Sequence, residues 1–240
     1  MKLIDLLQLI DDTAKEKGLS TPFVCGGIPR DKVINKIKFN DIDITTGDQD
    51  IHFLAKEVYF KLKKFNATYV TGNDGHVSIF FQGVKIDFSS NFIVPKIEEI
   101  TKMKISSIHQ ELLSRDFTCN ALLMSMDLKK IYDPLRKGIK AIHAKEIDTC
   151  LDPEITLRLD PNRIIRAIYL SSKLNFRLSK RVKNWIIANK EIIYQVKPKY
   201  IVEKINKAMR FNQENTIKLI KELEIENIIP LNYVNFKGTL

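Results

Sequence analysis

Asp41 and Asp43 flank a single isoleucine in the strand-like segment DIDIT. In an extended chain, residues two apart point to the same face, so both carboxylates project together. Two like charges that close repel, and a bound divalent cation is the usual remedy. A third acid, Asp87, lies in VKIDF with apolar neighbours on either side. Three carboxylates on adjacent strands of one sheet could hold two Mg²⁺ ions around a phosphoryl group, one activating an attacking hydroxyl and one steadying the leaving group. Alone, such a pair is more often a solvated strand edge, so other residues must support the chemistry.

Support comes from either side. Upstream, PFVCGGIPRD places Gly26 and Gly27 directly after an apolar stretch, with Arg30 three residues on. Glycines there let the backbone approach a ligand closely, a helix start beyond them offers N–H groups, and Arg30 can grip phosphate with two parallel donors. The segment is not a Walker A loop, because GxxxxGK[ST] is absent. Downstream, Asp160, Arg163 and Arg166 recur at helical spacing in LDPNRIIRA, so acceptor and donors share one face. Cytosine and adenine each present an amino donor beside a ring acceptor, and a fixed Asp/Arg pair can bond either edge while rejecting G and U.

The elements that must position these residues fall into two textures. Residues 1–90 predict a helix over LIDLLQLIDDTAKEK stopped at Gly18, a strand in PFVC, a short helix in RDKVINKI and the strand DIDIT. A long helix in DIHFLAKEVYFKLKKF and strands in ATYVT, HVSIFF and VKIDF follow, the last two joined by a tight Gln82-Gly83 turn. FTCNALLMSM reads as a buried helix and KKIYD as a strand; from LDPNRIIRAIYLSSKL onward four helical patterns succeed one another. The fold class is α+β: a head of helices on a small mixed sheet over 1–148, then an all-α segment over 149–240, with the connector in DTCLDPE. Trp185, Phe211 and Phe236 read as core residues.

Composition narrows the class. The 240 residues are 44% hydrophobic and 28% charged, which excludes disordered and fibrous chains. No apolar run approaches a membrane span and no signal peptide is evident, so a soluble protein is expected. Three cysteines without a CxxC pair and four scattered histidines argue against disulfide frameworks and zinc sites, and favour a reducing, cytoplasmic compartment. Residues 1–150 hold 22 basic and 20 acidic side chains, whereas 161–210 hold 13 and 2, so one segment carries the whole +10 excess. Charge concentrated in this way points to a polyanionic partner, nucleic acid first.

Taken in order, these blocks resemble the class II CCA-adding enzyme and bacterial poly(A) polymerase family of the nucleotidyltransferase superfamily. GGIPRD, DIDIT and VKIDFSSNF are similar to its catalytic head, and Ser114 to Leu122 (SRDFTCNAL) resembles its R-R-D-F-T-x-N-A-L block. YDP with GIKAIHAKEI, then DPNRIIRAI, match the blocks that follow. The resemblance implies that Asp41 and Asp43 bind metal, that Asp87 is the third catalytic carboxylate, that Gly27 and Arg30 contact the incoming nucleotide's phosphates, and that Gly26 and Arg115 also bind the nucleotide. It makes Asp116 and Asn120 braces, Asp160 and Arg163 the readers of CTP or ATP, and Arg166 a further nucleotide contact.

The implied activity is template-independent addition of CMP and AMP to a tRNA 3′ end, with Mg²⁺ and with CTP and ATP as substrates. TGNDGHVSIFFQG resembles the CCA-adding version, and the arginine-rich block of bacterial poly(A) polymerases is absent. Poly(A), CC-only or A-only addition, and an idle RNA-binding protein, are the alternatives; a homo-oligomer is left open. Leu159, Tyr169 and Ser114 depart from the family pattern at positions usually filled by Glu, Arg and Arg. The chain stops soon after NIIPLNYVNF, short of the helical body and tail the resemblance implies, which leaves the grip on RNA to the basic helices, a second subunit or looser recognition of RNA ends.

Overall fold

In the computed structural model, which describes residues 1–36, 41–72, 76–90 and 106–229, the apolar rows of the sequence become buried faces. Asn73 to Gly75 of TGNDGHVSIFFQG, the Asn91-Phe92 end of VKIDFSSNF, and Phe236 lie outside these residues. The chain divides into two compact units, residues 1–115 with 120–140, and residues 116–119 with 141–240.

In the first unit, helix α1 (Leu3–Glu16) buries Leu6, Leu7, Ile10 and Ala14, the i, i+4 row of an amphipathic helix. Gly18 takes φ +63° just beyond it, the left-handed conformation that ends helices. Helix α2 is Gly27–Val33 and α3 is Asp50–Leu62, the latter burying Ile51, Leu54, Ala55, Val58 and Leu62. Strands β1 (Phe23–Cys25), β2 (Asp41–Thr45), β3 (Thr68–Thr71), β4 (Val77–Phe81), β5 (Val84–Phe88), β6 (Leu123–Met124) and β7 (Ile131–Tyr132) form one sheet in the order β3-β4-β5-β2-β1-β6-β7. Only β2 and β5 pair in parallel among these strands.

Alternation along β2 decides what each face does. Ile42 and Ile44 point into a core shared with α1 and α3, where Leu7, Ile10, Leu54, Val58, Ile79, Ile86 and Phe88 are fully buried. Truncating one of these large side chains to alanine costs about 2–5 kcal/mol. Asp41 and Asp43 therefore occupy the other face. The β4–β5 turn has positive φ at both Gln82 (49°) and Gly83 (81°), which is the two-residue hairpin expected from the sequence.

FTCNALLMSM is not a helix. Thr118–Asn120 form a 3-10 turn and Leu123–Met124 become β6, because an apolar run this short can instead be zipped onto the open edge of β1. KKIYD does supply β7.

The second unit contains α5 (Gly138–His143) in part, then α6 (Pro153–Leu159), α7 (Asn162–Leu174), α8 (Lys180–Ala188), α9 (Pro198–Phe211) and α10 (Gln213–Glu222); α4 is Ser107–Ser114 of the first unit. Asp152 caps α6 by accepting from the Glu154 amide at 2.8 Å, a helix that reading the segment as a connector misses. A short parallel pair, β8 (Glu146–Ile147) with β9 (Arg177–Leu178), was likewise not foreseen. Phe211 is 55% exposed and meets Tyr169 edge-on, so it is not the core residue its type suggested; Trp185 is half-buried and donates to Glu154. Cys25, Cys119 and Cys150 are all buried. Among the described residues no helix is long and apolar enough to cross a membrane.

Candidate active site

Strand register brings the acids of the first unit together. In the parallel β2–β5 pair, Asp43 lies directly opposite Asp87, and Asp41 opposite Lys85. On the other side of β2, Asp43 faces Cys25 of β1. Asp41, Asp43 and Asp87 thus share one sheet face, as their spacing implied. Asp87 is engaged within the protein: Lys85 Nζ lies 2.6 Å from its Oδ2, and Ser78 Oγ donates to its Oδ1 at 2.5 Å.

Among the described residues no three Asp, Glu, His or Cys side chains converge as a metal-binding group. The arrangement fits a cation held by Asp41 and Asp43 and completed by other ligands. Mg²⁺ suits such a site, because it keeps several waters and is commonly bound by one or two carboxylates plus substrate phosphates.

Gly26 sits at the edge of this face with φ +72° and ψ −125°. A Cβ there would come within 2.3 Å of Asp43 Oδ2 and 3.6 Å of an Arg115 terminal nitrogen. The glycine is therefore required both by backbone conformation and by the carboxylate packed over it. Gly26→Ala is expected to cost about 1–3 kcal/mol in backbone strain, lowering the thermal midpoint by roughly 2–4 °C per kcal/mol, and to displace Asp43. Gly83→Ala, whose new Cβ would meet nothing within 4 Å, isolates the backbone cost; thermal melts of the two variants, with activity alongside, separate strain from displacement.

Arg115 is buried in the same region. Its guanidinium donates to Glu111 Oε1 at 2.6 Å and to Cys25 Sγ at 2.9 Å. Burial opposes its charge, but the Glu111 and Asp43 carboxylates outweigh that and raise its pKa above the ordinary arginine value. Burial pushes the Cys25 thiol up to about 12 although Arg115 pulls it down, so it remains protonated and the acids are the true counter-charges. Arg30, also buried, is held by Asp31 at 2.7 Å and by Asn120, whose Oδ1 accepts at 2.5 Å.

The second unit gathers the other predicted residues. Asp160 ends α6; its Oδ1 accepts from the Asn162 amide and side chain at 3.1 and 2.8 Å, and its Oδ2 lies 3.4 Å from Arg163 Nε. Arg166, one turn along α7, pairs with Asp116 at 2.6 Å. Tyr200 of α9 belongs to this cluster. Burial raises its phenol pKa, Arg166 lowers it, and Asp160 and Asp116 raise it further.

Sequence reasoning therefore missed Glu111, Cys25, Lys85, Ser78 and Tyr200. Glu111 carried a readable signal, four residues before Arg115, and Lys85 stands two before Asp87 on the same strand face. Ser78 and Tyr200 had none, because only register and helix packing bring them in.

The family model described as "Poly A polymerase head domain" matches residues 22–148. CCA-adding enzymes from Geobacillus sp. (strain WCH70) and Listeria innocua are 29% and 28% identical over 192 and 227 residues, covering 78% and 92% of this chain but 45% and 54% of those proteins. The chain thus spans about half the length of the curated relatives it matches. The Bacillus stearothermophilus CCA-adding enzyme in complex with CTP superposes with a TM-score of 0.72 at 23% identity, over 92% of this chain and 53% of that one. A tRNA nucleotidyltransferase complexed with a primer tRNA and an incoming ATP analog gives 0.70 at 23% identity, over 92% and 62%. These two structures establish the shared fold.

Proposed function

Because the chain belongs to the poly(A) polymerase head-domain family, we propose that it is a Mg²⁺-dependent nucleotidyltransferase that adds CMP and AMP, from CTP and ATP, to the 3′ end of tRNA. One observation carries the reading: Asp43 stands opposite Asp87 in a parallel strand pair, with Asp41 on the same face and the Gly26 turn against it.

The RNA 3′-hydroxyl gives up its proton to water as its oxygen bonds to the α-phosphorus, the bond from that phosphorus to the oxygen bridging to the β-phosphate breaks, and pyrophosphate leaves. Asp41 and Asp43 would hold Mg²⁺, whose charge when bound stabilises the oxygens that become negative in this exchange. Gly26 and Gly27 keep side chains away so that phosphate can approach the sheet edge. Arg115, fixed by Glu111, contributes a permanent positive charge beside Asp43, and Arg30 is held rigid by Asp31 and Asn120. Asp160 and Arg163 present acceptor and donors that bond the amino and ring nitrogen of cytosine or adenine. Arg166, fixed by Asp116, adds charge one helical turn away.

The test is pure protein incubated with tRNA lacking its terminal CCA and labelled CTP and ATP. Incorporation of both, ending after three residues, is expected from the reaction class. Long tails from ATP alone would assign poly(A) polymerase activity instead, and no extension of any RNA would overturn the enzyme reading.

A further inference from the structure

Alternation along the parallel β2–β5 pair puts four charged side chains on one face: Asp41 beside Lys85, and Asp43 beside Asp87. Lys85 turns toward Asp87, 2.6 Å from Oδ2, while Ser78, the register partner of Asp87 on β4, occupies Oδ1. Ser78 is buried and Lys85 is 34% exposed, so the hydroxyl is fixed by packing whereas the ammonium can move. Three carboxylates and one ammonium leave two net negative charges, which one divalent cation balances.

We propose that Lys85 controls whether Asp87 can serve as a metal ligand. With Lys85 in place, a divalent cation is held by Asp41 and Asp43 alone. Asp87 then stands outside the coordination sphere as the hydrogen-bonded counter-ion of Lys85. An ammonium 2.6 Å from a carboxylate oxygen repels any cation approaching that oxygen, so Asp87 joins only when Lys85 swings away. This rests on the metal site proposed above and assigns Lys85 as a positioning residue within it.

The experiment is direct Mn²⁺ binding, read from the electron paramagnetic resonance signal of free Mn²⁺, without nucleotide or RNA. It compares the wild type, Lys85→Met, Lys85→Gln, Lys85→Arg, Asp87→Asn and the Lys85→Met/Asp87→Asn double variant, each checked for folding by circular dichroism. Removing the ammonium by either neutral substitution should tighten binding about tenfold, because one repelling charge leaves the site and a third carboxylate can join the cation, and Lys85→Arg should leave it unchanged. Asp87→Asn should change wild-type affinity by less than about twofold yet cancel the whole gain in the Lys85→Met background, the signature of two coupled residues. An Asp87→Asn loss as large in the wild type as in Lys85→Met would overturn the proposal, as would unaltered affinity in both neutral Lys85 variants. If the wild type binds no Mn²⁺, or binds it equally well after Asp43→Asn, the metal-site reading fails and this inference with it.

Discussion

Asp43→Asn is expected to lower nucleotide addition by roughly 10³-fold, the scale lost when a group stabilising charge in the transition state is removed, while the fold stays intact. Asparagine keeps the shape of aspartate at the centre of β2 and removes only the charge. The position is otherwise hemmed in, with Cys25 and Asp87 as register partners on either side and Gly26 packed against its Oδ2. Stability should change little, because relief of the Asp43–Asp87 repulsion across the strand pair is offset by the loss of one of the acids that balance buried Arg115. Labelled-nucleotide incorporation and a thermal melt check both halves. A loss below tenfold would remove Asp43 from the chemistry, and a collapse of the fold would make its role structural.

The second large effect is on stability. Glu111 is fully buried and Arg115 is only 7% exposed, and they meet at 2.6 Å across the end of α4. Removing one partner of a buried pair leaves an uncompensated charge, which costs about 3–5 kcal/mol. Glu111→Ala should therefore unfold far below the wild-type temperature. Glu111→Gln, which keeps an acceptor, should lose less. Replacing the pair as a unit with apolar residues of similar volume is often close to neutral, so Glu111→Leu/Arg115→Met should recover much of the stability but not the activity, because it also removes the positive charge beside Asp43. Denaturant unfolding of the single and double variants measures the coupling. A double variant no more stable than Glu111→Ala would show that the pair's geometry, and not its charge balance, holds the region.

Much of this architecture was legible because it depends on local periodicity. Leu6, Leu7, Ile10 and Ala14 announce α1, Ile42 and Ile44 announce the buried face of β2, and the buried Ile164, Ile165 and Ile168 mark the inner side of α7. The acids followed, since a period of two fixes where Asp41 and Asp43 point once DIDIT is a strand. What stayed hidden depends on partners distant in sequence. FTCNALLMSM reads as a helix from its apolar character alone, and only the open edge of β1, which receives Leu123 and Met124, makes it a strand. Tyr200 enters the Asp160–Arg166 cluster only because α9 packs on α7.

The basic segment is the clearest case of partial legibility. Its excess charge is real, but Arg163, Arg166, Arg177, Arg181, Lys183 and Lys190 each pair with an acid from outside 161–210: Asp160, Asp116, Glu146, Asp148, Glu222 and Glu224. Counting charges along the chain overstates what the folded surface offers to a polyanion.

Residues 116–119 belong to the second unit although the chain on either side of them belongs to the first. The polypeptide is therefore sewn through both units, and no single cut can release either one whole. A fragment starting at 141 would lack Asp116, the partner of Arg166, and Phe117, which bridges to Thr149. A fragment ending at 115 would lack β6 and β7 and leave the outer edge of β1 open. During synthesis, the stitch at 116–119 leaves the ribosome before residues 141–240, which complete its unit. The last strands of the sheet and the helices that follow are thus bound into one order of assembly.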